Sequence, residues 1–200
     1  MGLLEKFSGE ERDLLVALPY RVGLWLSRSD DTGGAESGDA EINALRGIIT
    51  GFAEDFLKSE FVEELMRETV SRKDLWPAWE KDTDTVPAEC TKAVGIVAAR
   101  LEQKSTTSFK HNLMEIAMTV ALAYREFDDD QPLVEKIKVY FRYYRQRIEA
   151  MLQNKQILSF DEYLNISRAE HEALTQLSAA LRMEYKEGQM PQAPMAAAEG

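Results

Sequence analysis

Cysteine and histidine are nearly absent from this chain. Cys90 is the single cysteine, and His111 and His171 are the only histidines. One cysteine excludes an intrachain disulfide and a thiolate zinc cage. Neither histidine has the second histidine or the preceding glutamate that zincin and di-iron helices need. Long apolar runs are missing too: the longest, Ile116 to Tyr124, is interrupted by Thr119 and is far shorter than a membrane span. The first residues, Met1 to Phe7, hold no signal-peptide core, so a soluble cytoplasmic protein is expected. Basic residues are outnumbered, 24 Lys and Arg against 35 Asp and Glu, for a formal net charge of −11. That balance counts against broad nucleic-acid binding. There is no Gly-rich phosphate loop ending in Lys-Ser or Lys-Thr and no Gly-x-Ser-x-Gly elbow.

What is present is helical periodicity over most of 200 residues, of which 44% are hydrophobic. Ser8 with Glu11 forms a capping box that opens a helix to about Arg28, interrupted by Pro19, with Leu14, Leu15, Leu18, Val22, Trp25 and Leu26 as its stripe. After an Asp/Gly/Ser-rich loop over residues 29–39, a second helix carries Ile42, Leu45, Ile48, Ile49, Phe52 and Phe56, with Gly47 and Gly51 offering close approach to a neighbour. Ser59 caps a third helix. The stretch from Lys73 to Pro87 is irregular, with Trp76 and Trp79 as anchors, and Pro87 suits the first turn of a fourth helix that carries Cys90 as a small core or edge residue. A fifth helix spans about Thr107 to Phe127 and a sixth about Leu133 to Gln153. A last one follows the second capping box, Ser167 with Glu170. No segment alternates like a strand, so the expected fold is an all-α single-domain bundle of about seven helices. The helical domain spans 8–187, with a core over 10–153 and a C-terminal addition over 154–187. Residues 188–200 read as a disordered Pro/Ala/Met-rich tail.

Sliding the chain on itself sets Leu15 on Leu113, Val22 on Val120, Asp30 on Asp128 and Asp31 on Asp129. Each copy is an apolar helix, an acidic loop and an acidic start to the next helix, marked by Glu41 and Glu135. Apolar helices also coincide by chance, so a pseudo-twofold repeat remains one of two readings. Asp30 and Asp31 end one helix, and Asp128, Asp129 and Asp130 end another. Anions at a helix C-terminus oppose its dipole, and adjacent carboxylates repel. A hard divalent cation (Ca²⁺, Mg²⁺ or Mn²⁺) relieves both penalties through oxygen ligands. Ordinary solvated turns account for the same residues.

The run Ser27-Arg28-Ser29-Asp30-Asp31-Thr32-Gly33-Gly34 with Glu41, and Asp128-Asp129-Asp130 with Glu135, resembles the TerB tellurite-resistance family over roughly residues 10–153. The resemblance implies an all-α fold with an acidic cation site formed by Asp30, Asp31, Glu41, Asp128, Asp129 and Glu135. It also implies a non-enzymatic role, with a protein partner, in a stress-response or tellurite-resistance system. The first loop is longer than the family's direct Asp-Gly, which touches Glu36, and the second, with Asp130, has no Gly.

Two further constellations bear on function. His111 and Glu115 share a helix face, and Glu115 with Glu126 supplies the buried-acid candidates for catalysis; a satisfied structural pair or an edge position is the favoured reading of the first, and an enzyme ranks last. Residues 136–147 carry Lys136, Lys138, Arg142, Arg145 and Arg147 interleaved with Tyr140, Phe141, Tyr143 and Tyr144. Ile137, Phe141, Tyr144 and Ile148 form a core-like stripe on that helix. The alternative to cation binding is therefore a metal-independent adaptor that docks a protein through Arg142 and Arg145.

Overall fold

Helix formation begins where the capping box predicts. In the computed structural model the Ser8 N–H donates to Glu11 Oε2 at 2.8 Å, and the Glu11 N–H donates to Ser8 Oγ at 3.3 Å. The structure describes residues 2–29, 37–55, 59–123 and 168–183, without the side chains of 37–41, 54, 55, 122, 123 and 168. Its helices are α1 (Gly9–Ser27), α2 (Ser37–Asp55), α3 (Glu60–Ser71), the short α4 (Trp76–Trp79), α5 (Val86–Arg100), α6 (Gln103–Ala123) and α7 (Arg168–Ala180). Short 3-10 turns lie at Leu3–Lys6, Lys73–Leu75 and Thr83–Thr85, and no strand occurs among the described residues. The chain is an all-α bundle. The expected helix over 133–153, the turn around 154–167 and the tail over 188–200 lie outside the described residues.

α1 is the hub. It packs against α2, α3, α4, α5, α6 and α7. Every residue from Leu15 to Leu24 is buried, so that stretch of the helix has no solvent side. The stripe read from the sequence is therefore only part of its apolar surface. α1 runs unbroken through Pro19, which has no N–H for the Leu15 carbonyl. One residue further on, the Thr69 hydroxyl lies 2.8 Å from the Val16 carbonyl and 3.0 Å from the Leu65 carbonyl, tying α3 to the hub.

Side-chain contacts fix the helix directions. Phe61, at the start of α3, meets Phe7 at 5.8 Å and Phe109, near the start of α6, at 6.0 Å. Towards its other end α1 meets Ile116 and Val120 across Gly23. Thus α3 and α6 run parallel to α1. α5 runs antiparallel: Glu89 bonds Arg21, while Arg100 reaches Glu11 at 2.7 Å and the Lys6 carbonyl at 3.2 Å. Arg100 first, and the Ser8 cap second, hold the Glu11 carboxyl below its ordinary range. α2 ends just before α3 begins beside Phe7, so it too runs antiparallel to α1.

Two sequence expectations shift. α2 starts at Ser37, inside the predicted loop, so Glu41 sits in its second turn and does not open it. Asp39 near a helix N-terminus is favoured by the dipole, which lets the helix start early. α6 starts at Gln103, a turn before the predicted Thr107. A close helix approach falls at Gly23 on α1. A β-carbon there would lie 2.3 Å from Leu45 Cδ1 and 3.4 Å from Val120 Cγ2. Gly23 thus joins Gly47 and Gly51, half-buried on α2, which the sequence singled out.

Gly23→Ala gains about 1 kcal/mol of helix propensity but overpacks a filled core at a cost of about 1–3 kcal/mol. Net destabilisation is expected in urea unfolding. Adding Leu45→Ala removes the clash, so the double variant loses less than the sum of the two single losses.

Candidate functional site

The predicted ligands Asp30, Asp31, Asp128, Asp129 and Glu135 lie outside the described residues, as do Glu36, Glu126 and Asp130. So do Arg142 and Arg145 on the basic-aromatic segment 136–147. Of the six ligands only the backbone of Glu41 is described, in the second turn of α2. Among the described residues no group of three or more His, Cys, Asp or Glu could hold a metal ion. The described part of the region is the set of helix ends that lead into it. α1 and α6 are parallel neighbours, so Ser29 and Ala123 lie towards the same end of the bundle. α2 is antiparallel, so its first turns lie towards that end as well.

A dense polar cluster sits beside this end. Arg21 interrupts the apolar core of α1 and is 8% exposed. A buried guanidinium is tolerated only when its donors are matched. Here Nε donates to Glu89 Oε2 at 2.9 Å and Nη2 to Glu89 Oε1 at 3.0 Å, a two-pronged ion pair. Nη1 donates to the carbonyls of Trp79 (2.7 Å) and Lys81 (2.8 Å). Nη2 also reaches the Asp82 carbonyl at 3.1 Å and Thr85 Oγ1 at 3.2 Å. One side chain thus pins the whole segment from α4 to α5. That segment carries too little regular structure to satisfy the carbonyls of Trp79 and Lys81, and Arg21 satisfies both.

Tyr20 holds the same segment from the adjacent position. Its ring stacks on Trp76 with centroids 4.6 Å apart, and its hydroxyl donates to Glu80 Oε1 at 2.8 Å. Arg46 of α2 approaches the same carboxylate at 3.6 Å, and Arg28 donates to the Glu80 carbonyl at 2.8 Å. Burial, then the Glu80 carboxylate, pushes the Tyr20 phenol up to about 12. Every guanidinium nitrogen of Arg21 has an internal partner, so the cluster holds the segment as a clamp.

Sequence periodicity passed over this clamp. The readable signal was an arginine inside Ala17-Leu18-Pro19-Tyr20-Arg21-Val22-Gly23-Leu24, a charge where a core helix has none. The remaining candidates are placed as follows. Cys90 is fully buried, and burial, then the charge of Glu89, raises its thiol well above the ordinary range, which suits a packed side chain and not a nucleophile. Glu115 and His111 are half-buried on α6, and the Glu115 carbonyl accepts the Thr119 hydroxyl at 2.8 Å. Glu170, from the second predicted capping box, is buried at 4% exposure on α7.

Arg21→Met strips the ion-pair partner from Glu89 and the side-chain donor from the Trp79 and Lys81 carbonyls, and about 3–5 kcal/mol of stability should go with it in urea unfolding. Arg21→Lys should recover little, because an ammonium cannot span the fork. The Tyr20 phenol has a second signature. Its folded pKa is raised, so its contribution is complete below pH 10 and is lost as pH climbs through 12. Wild type should therefore lose on the order of 2 kcal/mol over that window beyond what Tyr20→Phe loses.

Comparison with protein-family models, with curated proteins and with solved structures gives no significant match for this chain.

Proposed function

We propose that this chain is a non-enzymatic, divalent-cation-binding helical protein of the stress-response or tellurite-resistance type, resembling the TerB family, with a protein partner. The ligands on this reading are Asp30, Asp31 and Glu41 from one half and Asp128, Asp129 and Glu135 from the other. Their role is to supply carboxylate oxygens to Ca²⁺, Mg²⁺ or Mn²⁺, ions that favour several such ligands.

The observation that supports the reading is the direction of the helices. α1 and α6 lie side by side and parallel. The Asp30-Asp31 pair follows the C-terminal end of one, and the Asp128-Asp129 pair follows soon after the described end of the other. An antiparallel pairing would have sent the two acidic segments to opposite ends. The antiparallel course of α2 carries Glu41 to the same side. On this reading the carboxylates that follow α1 and α6 in the sequence are the negative charge that a dication offsets.

Millimolar Ca²⁺, Mg²⁺ or Mn²⁺ should raise the melting temperature. An ion present at a hundred times its dissociation constant adds about 2.7 kcal/mol, and about 2–4 °C per kcal/mol is expected for a domain of this size. Differential scanning calorimetry of Asp30→Asn combined with Asp128→Asn should show no gain. A wild type indifferent to all three ions would overturn the proposal.

A further inference from the structure

The stretch from Lys73 to Asp82 is fixed from beneath and open above. Trp76 turns inward: it is buried, stacks on Tyr20 with centroids 4.6 Å apart, and its Nε1 donates to the Thr69 carbonyl at 3.2 Å. Arg21 holds the carbonyls of Trp79 and Lys81. The residues beside Trp76 face the other way. Leu75 is 45% exposed, the one large hydrophobic side chain left in the open among the described residues. Pro77 and Ala78 are exposed, and Trp79 is half-buried. Four apolar residues within five positions thus form a knob on a rigid base. A single apolar side chain on a surface is ordinary, whereas a contiguous group marks an interaction site. A surface already held in shape also loses little conformational freedom on docking.

The charges around the knob are ordered. Lys73 and Asp74 precede it, Lys81 and Asp82 follow it, and all four are exposed. The other charged residues nearby are committed within the chain: Arg72 to Asp13 and Glu68, and Glu80 to Tyr20 and Arg46. The side chains of the outer four enter no ion pair among the described residues. At both ends the order of sign is the same, positive and then negative. Turning a second copy about a twofold axis between Pro77 and Ala78 therefore sets Lys73 against Asp82 and Asp74 against Lys81, once in each direction. A parallel placement sets like charge on like. The patch matches itself when reversed, which is the requirement for an isologous contact.

We infer that this patch is a self-association surface, on which two copies of the chain pair antiparallel, with Leu75 and Trp79 at the centre and the Lys–Asp pairs at the rim. Exposed ion pairs contribute little affinity, but they fix orientation and exclude the like-charged alternative. A patch of this few residues falls short of the roughly 20–30 per side of a standard interface, so the pair is weak and forms at high concentration. It uses none of the proposed cation ligands.

Sedimentation equilibrium of the full chain, with a chelator present to keep cation binding out of the measurement, tests the inference. In about 0.15 M salt the Debye length is about 8 Å, which screens the net charge of −11 on each copy beyond the contact itself. The weight-average mass should rise from 22.7 kDa towards twice that value between about 10 μM and 1 mM protein. Leu75→Ser should keep the urea unfolding midpoint and associate about tenfold more weakly. Asp74→Lys and Lys81→Asp should each weaken association by about tenfold as well, because each sets like charges together on both sides of the axis. Mixed in equal amounts, these two variants should recover wild-type association, since position 74 of each then faces an opposite charge at position 81 of the other. A wild type that stays monomeric over the whole range would overturn the inference and leave the knob to a different partner. So would undiminished association of Leu75→Ser, or a mixture that associates no better than its components.

Discussion

A stretch of helix with no solvent side has nowhere to put a charge, and α1 carries one there. The guanidinium of Arg21 is admitted to the interior because the chain brings a carboxylate, three carbonyls and a hydroxyl to meet it. The dependence is mutual. Residues 79–85 form only a short helix end and a 3-10 turn; Thr85 serves the Asp82 carbonyl, and the carbonyls of Trp79 and Lys81 are met by the arginine. Without the arginine they would have to reach water, and the Trp76–Tyr20 stack would lose its support. The sequence around Trp76 and Trp79 therefore folds as a strap over the hub, and the strap delivers the chain to the start of α5.

This arrangement explains what could be read from the sequence and what could not. Local chemistry was legible: the Ser8–Glu11 box, the Ser59 cap and the Pro87 start are short-range signals that act within one turn, and each stands where it was expected. Periodicity gave the helical class for the same reason. It failed where burial is not one-sided. On α1 a stripe could be drawn through Leu14, Leu18 and Val22, yet the opposite face is equally buried, so a stripe search treats Arg21 as an exposed residue. Gly23 went unnoticed because its importance comes from Leu45 and Val120, distant in sequence.

The early start of α2 has the same origin. Ser37, Gly38 and Asp39 read as loop residues one by one, but a helix N-terminus accommodates them and favours the acid. Of the acidic region, composition and its conflict with the helix dipole were legible. That the described ends of α1 and α6 point the same way was not legible, because parallel packing is a property of topology and not of either segment.

The central position of α1 has a consequence during synthesis. Its partners all follow it in the chain: Arg21 waits for Glu89, Glu11 for Arg100, and the groove beside Thr91 for Ala180. The helix with the longest buried stretch among the described residues therefore leaves the ribosome well before the residues that cover it, and its burial is a late, long-range event. A nascent chain of this design exposes its hub until α5 and α6 have emerged. In that interval it is the kind of segment that chaperones bind, and pausing of translation between α1 and α6 would prolong its exposure.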